Sequence, residues 1–116
     1  MNKLEVQKRV LQNGKPLDLE KFEWDEEAKV FSSAKNYLVI DFGNINDCTF
    51  ATGHSCTFET GSDCVVVRRD IYQVIELKEG KRIKLNGYRI NGFNVLKTKE
   101  EIITVNGVKY KKIEDE

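Results

Sequence analysis

Chain-breaking residues are scarce. Pro16 is the one proline among 116 residues, and no Gly/Ser-rich run interrupts the sequence. No linker is therefore expected, and the chain reads as one domain. Long apolar runs are missing as well: none approaches the ~18 residues of a membrane span. The opening MNKLEVQKRV lacks the apolar stretch of a secretory signal. An excess of either charge is absent, because 19 basic and 19 acidic residues cancel. Residues 1–58 carry 7 basic and 9 acidic groups, and residues 59–116 carry 12 and 10. That tilt is too small for a nucleic-acid funnel or a DNA mimic. Three cysteines are an odd number, which argues against a disulfide framework and for reduced thiols. These absences point to a cytoplasmic protein with no membrane partner. Nucleic acid is not expected as a direct ligand.

What is present is short alternating segments with turn punctuation. Val6 to Leu11 ends at Asn13-Gly14, a hairpin signal because both residues tolerate positive φ. Asp18 to Lys29 is the best helical candidate, but Phe22, Trp24 and Val30 alternate with charged residues. DEEAK then reads as a turn between two strands. Tyr37–Phe42, Val65–Val67, Tyr72–Leu77 and Arg82–Leu85 follow as strands, with Gly80 expected to supply a positive φ between the last two. Asn86-Gly87, Asn91-Gly92 and Asn106-Gly107 mark further turns. Ile102 to Ile113 reads as a hairpin whose Lys109, Lys111 and Lys112 suit an exposed edge.

The centre of the chain repeats. Stacked in eights it reads VIDFGNIN, DCTFATGH, SCTFETGS, DCVVVRRD. Column two is Ile40, Cys48, Cys56, Cys64; column four is Phe42, Phe50, Phe58, Val66. Positions two apart share one face of a strand, so these eight residues are the expected core. Thr49 and Thr57 face out between them, Thr52 and Thr60 sit near the bends, and Gly53 and Gly61 bend the chain into the next row. Eight residues cannot close a coil around a core, but two strands and two turns can. The expected fold is all-β: a short two-sheet β-solenoid of octapeptide half-coils, about sixteen residues per coil. Cys48 and Cys64 would stack on one wall, with Cys56 on the other. Residues 1–37 and 71–116 would form N- and C-terminal β-hairpin caps around a repeat region at 38–70, since open sheet ends invite aggregation.

The CTF-x-TG octads, running into CVVVRRDIYQVIELKEGKRIKLNGY, resemble a group of small phage and prophage-type proteins with tandem octapeptide repeats. The resemblance covers roughly residues 10 to 95. This chain departs from it in carrying two full octads where the group has longer runs. The resemblance implies a phage context and a β-solenoid, not a reaction.

Candidate chemistry is thin. Cys48, His54, Cys56 and Cys64 could be read as zinc ligands, but zinc sites usually pair their ligands closely, and here seven residues separate successive cysteines. His54, the one histidine, is two residues from Cys56, with no pattern supplying a group to orient it as a base. Asp25, Glu26 and Glu27 diverge on a turn. GNIND, TGHS and NGYRING lack the following helix and Lys-Ser/Thr of a phosphate loop. No enzyme, metal or cofactor is expected. Arg68 and Arg69 stand where the repeat would have Thr-Gly, and with Tyr72, Arg82 and Arg89 they form the one basic, aromatic-bearing region. Arginine and tyrosine are enriched at binding hot spots, so these five are the expected partner contacts. The blander reading of Arg68 and Arg69 is a surface ion pair with Asp70, Asp63 or Glu59. The function that follows is a non-enzymatic phage-type protein occupying a surface of a host machine, an anti-CRISPR inhibitor being the concrete version. The alternative is a virion or assembly module that oligomerises through its solenoid ends.

Overall fold

The structure, a computed structural model, describes residues 1–96 and the backbone of 102–105 and 108–111. In chain order come helix α1 (Lys3–Gln7), β1 (Val10–Gln12), β2 (Lys15–Pro16), a 3-10 turn (Leu19–Lys21), β3 (Glu23–Asp25), β4 (Val30–Ser32) and β5 (Leu38–Asp41). There follow β6 (Thr49–Thr52), β7 (Thr57–Glu59), β8 (Cys64–Arg68), β9 (Gln73–Leu77), β10 (Arg82–Leu85), β11 (Phe93–Leu96), β12 (Ile102–Val105) and β13 (Val108–Lys111). The protein is mostly β. A six-stranded sheet has the order β11-β10-β7-β5-β1-β2, and a five-stranded sheet the order β3-β4-β6-β8-β9. Among the described residues no helix is long and apolar enough to cross a membrane.

Both sheets are mixed, and the mixture is ordered. From β4 to β8 successive strands alternate between the sheets, and their pairings, β4 with β6, β6 with β8 and β5 with β7, are parallel. Antiparallel strands flank this block: β3, β1 and β2 on the N-terminal side, β9, β10 and β11 on the C-terminal side. Asn13 and Gly14 take φ of 54° and 78° in the β1–β2 hairpin, as the Asn-Gly signal requires. DEEAK joins β3 to β4.

The inner faces meet in a column of phenylalanines. Phe31, Phe50 and Phe58 follow one another across the core, with ring centroids 6.3 and 5.3 Å apart; Phe22 stacks on Phe31, and Phe42 meets Phe50 edge-on at 4.9 Å. Ile40, Phe42, Cys48, Phe50, Cys56, Phe58, Cys64 and Val66 are all buried. Cys48 and Cys64 belong to the five-stranded wall. Cys56 sits on the other, where the Leu38 N–H donates to its sulfur at 3.4 Å.

Several sequence expectations are corrected. Val6 ends up in a helix, not a strand: Asn2 and Glu5 form a reciprocal capping box that starts α1, and Val6 packs its inner side into the core. The eight-residue register holds from β6 onward, where Thr49 pairs with Val65 sixteen residues later. It fails before that. Ile40 pairs with Phe58, not Cys56, because the corner after β5 is two residues longer. Gly43 adopts φ of 56° there, its N–H held by the Asp41 carboxylate at 2.9 Å. A two-residue shift leaves every side chain on its own face, so burial survives the slip. Thr52 and Thr60, at the bends, are buried.

The glycines also act differently. The left-handed corner residues are Asp47, Ser55 and Asp63, the first of each octad, with φ of 61°, 60° and 55°. Gly53 and Gly61 instead make room for Asn36 and Asn46 of the preceding corner. Gly80 has no positive φ; a Cβ there would lie 2.9 Å from the Thr60 carbonyl oxygen. The turn around it carries the chain from β9 in one sheet to β10 in the other. Asn106-Gly107, Lys112 and the side chains of Lys109 and Lys111 lie outside the described residues, although β12 and β13 pair antiparallel.

Candidate functional site

One edge of the molecule collects four corner segments. The Gly53 N–H donates to the Lys35 carbonyl, Tyr37 to His54, Arg69 to Thr52, and Ser55 to Asn86. These backbone bonds bring together residues 35–37, 53–55, 69–72 and 86–92. Tyr37 and Tyr88, 63% and 61% exposed, flank His54 edge-on with ring centroids 5.3 and 5.5 Å from it. The Arg89 guanidinium lies 5.4 Å from the centre of the Tyr88 ring. The result is a ridge of aromatic rings with a cation at one end.

Arg68 holds that ridge in place. It is the last residue of β8 and pairs with Thr52 of β6, so its side chain points inward, as Thr52 does. It is 0% exposed. Its fork engages Asp70 twice, Nε to Oδ1 at 3.1 Å and Nη2 to Oδ2 at 2.6 Å. It also donates to the carbonyls of Gly87, at 2.9 Å, and Ile90. Asp70 in turn accepts the Arg89 N–H at 2.9 Å. Two bonds of this buried cation thus go to Asp70 on the β8–β9 turn and two to the loop that carries Tyr88 and Arg89, which ties the two segments together. Burial opposes ionisation of Asp70, but the Arg68 hydrogen bonds, the Arg89 N–H and the Arg68 charge outweigh it and hold the carboxyl below its usual range.

The five expected contact residues therefore separate. Arg68 is no surface contact: it pairs with Asp70, one of the expected partners, but the pair is buried and not at the surface. Arg69 is exposed and donates to Ser32 Oγ at 3.1 Å. Tyr72 is 83% exposed at the β8–β9 turn, next to the same edge. Arg89 belongs to the ridge. Arg82 does not: it starts β10 at the opposite edge, 3.9 Å from Glu59. Tyr37, His54 and Tyr88 were missed because they are distant in sequence and meet at successive corners.

The cysteines are set for packing. Cys56 donates to the His54 carbonyl at 3.5 Å, while the His54 ring bonds Ser55 Oγ through Nδ1 at 2.8 Å. The Cys–His pair of a nucleophilic site is therefore not assembled. Burial first, then the neighbouring Cys64, pushes the Cys48 thiol up to about 11, and burial also raises Cys56. Among the described residues no three His, Cys, Asp or Glu converge on a point. Comparison with protein-family models, curated proteins and solved structures gave no match.

Proposed function

We propose that the protein is a non-enzymatic binding module of phage type that occupies a surface of a host machine, with inhibition of a CRISPR defence complex as its concrete form. The observation that carries this reading is the Tyr37–His54–Tyr88 ridge, buttressed by a fully buried arginine. Exposed aromatic rings beside arginine are the usual anchors of protein interfaces, and a rigid support lowers the ordering cost of binding. The alternating parallel strands fit a short two-sheet β-solenoid as the scaffold, with the antiparallel ends as its caps. No cofactor enters this role, and its setting is the host cytosol.

The test is capture from host lysate together with a phage-protection assay. The wild type should retain a defined host protein and protect phage; Tyr88→Ala should lose both while melting at an unchanged temperature. Retention of no host protein, with no protection, removes the proposal.

A second reading is favoured by the sheet ends. β9 and β11 are edge strands bearing exposed Val74 and Val95. Such edges can pair with another copy, as a virion or assembly module would. Light scattering during size exclusion separates the two: a large homo-oligomer supports assembly, and a monomer or dimer removes it.

A further inference from the structure

We infer that the ridge receives an acidic protein segment, one in which carboxylates alternate with apolar side chains. This rests on the ridge being the contact surface. The argument is charge complementarity between the two edges of the molecule. On the ridge edge, segments 35–37, 53–55, 69–72 and 86–92 contain three cations, Lys35, Arg69 and Arg89. Their one carboxylate is Asp70, which is 8% exposed and neutralised by buried Arg68. Within these four segments a ligand thus meets positive charge with no surface carboxylate, while exposed Glu23, paired with the Ser32 that Arg69 contacts, adds one acid on the Arg69 side with Lys21 close by in sequence.

The opposite edge has the reverse balance. Its corners, at 25–29, 42–48, 60–64 and 78–81, carry Asp25, Glu26, Glu27, Asp47, Asp63 and Glu79 against Lys29, Lys78 and Lys81; Arg9 and Arg82 also lie there, beside Asp41 and Glu59. Backbone bonds from Asp47 to Ser62 and from Asp63 to Lys78 hold three of these corners together. Among the described residues the corners of the two edges therefore differ in charge, which the total charge conceals. Such a field steers an acidic partner toward one edge and away from the other.

The aromatic component sets the rest of the recognition. Tyr37, Tyr72, Tyr88 and Ile90 expose apolar surface on the same edge. Rings of this kind bury apolar side chains, while tyrosine hydroxyls and arginine forks donate to carboxylates. The rings of the ridge face one another edge-on, so they do not form parallel stacking platforms for a single strand of nucleic acid. An acidic segment fits this surface better.

The experiment is fluorescence anisotropy of the full chain with a short peptide of alternating glutamate and leucine, labelled with a neutral dye. Controls are the same peptide with glutamine for glutamate, and a single-stranded oligonucleotide. The glutamate peptide should bind, weaken as salt rises, and lose about fivefold or more in affinity with Arg89→Ala or Arg69→Ala, as expected for truncating a contact worth over ~1 kcal/mol. Lys78→Ala, on the opposite edge, should change nothing. Equal or tighter binding of the glutamine peptide or the oligonucleotide overturns the inference, as does no binding of the glutamate peptide. If peptide binding fails but Tyr88→Ala still abolishes capture of the host protein, the acidic assignment falls and the ridge stands. If Tyr88→Ala leaves capture intact, the ridge itself is wrong.

Discussion

Asn36 and Gly53 interlock across successive corners: the asparagine Oδ1 accepts the His54 N–H at 3.0 Å and occupies the space a Cβ on Gly53 would need. Asn46 and Gly61 repeat the arrangement, with the Ser62 N–H donating at 2.8 Å. Gly53→Ala should cost about 1–3 kcal/mol, as overpacking does. The two sites should differ in rescue. At Gly53 the closest obstacle is the Asn36 side chain, so Asn36→Ala should recover part of the loss. At Gly61 the backbone of Asn44 and Ile45 lies within 2.8 Å, so Asn46→Ala should recover little. Urea melts of both double-mutant cycles measure this.

Arg68→Ala should be among the most damaging single changes. It strands Asp70 and leaves two carbonyls without their donor, and breaking a buried pair typically costs about 3–5 kcal/mol. Arg68→Lys should restore only a fraction, because an ammonium lacks the fork that reaches Asp70 and the Gly87 carbonyl together. Chemical denaturation gives the magnitudes. Loss of the Tyr88–His54 contact by NMR in Arg68→Lys would show that the ridge depends on this buttress.

Acid should weaken the fold through Asp70. Its folded-state pKa is depressed, so the stability it contributes is present above its unfolded value, about 3.9, and is lost as pH falls through the lower folded value. The wild type should lose stability in that window, and Asp70→Asn should show a smaller slope there. Equal slopes would mean that other carboxylates carry the acid transition.

Alkali should act through the thiols, with the opposite sign. Cys48 is raised from 9.0 to about 11, so its contribution is intact below 9 and is lost as pH climbs toward 11. Cys48→Ser should flatten that part of the profile. At neutral pH, buried thiols of this kind should resist alkylation in the native protein and react after denaturation, which mass spectrometry resolves. Cys56→Ala should cost roughly 1–3 kcal/mol for the lost side chain.

Periodicity alone placed the core. Cys and Phe two apart must share a strand face, and their recurrence every eight residues requires alternating walls, which the pairing of Thr49 with Val65 follows. Arg68 follows Val66 by two residues on the same strand face and is buried opposite Thr52, yet the reading from sequence sets it at the surface as a partner contact. Its role could not be read locally. A buried cation is sensible only once its partners are known, and Asp70, Gly87 and Ile90 reach it through two loops whose paths no local pattern specifies. The two-residue slip at Ile40 was also invisible, because burial on a strand repeats every two residues and either register satisfies it. Local composition likewise could not assemble Tyr37, His54 and Tyr88. Stacking strands set the corners one above another, and only that tertiary stacking turns residues seventeen and thirty-four positions apart into one surface. The cysteine octads determined the walls of the protein; where those walls meet decided which side chains face a partner.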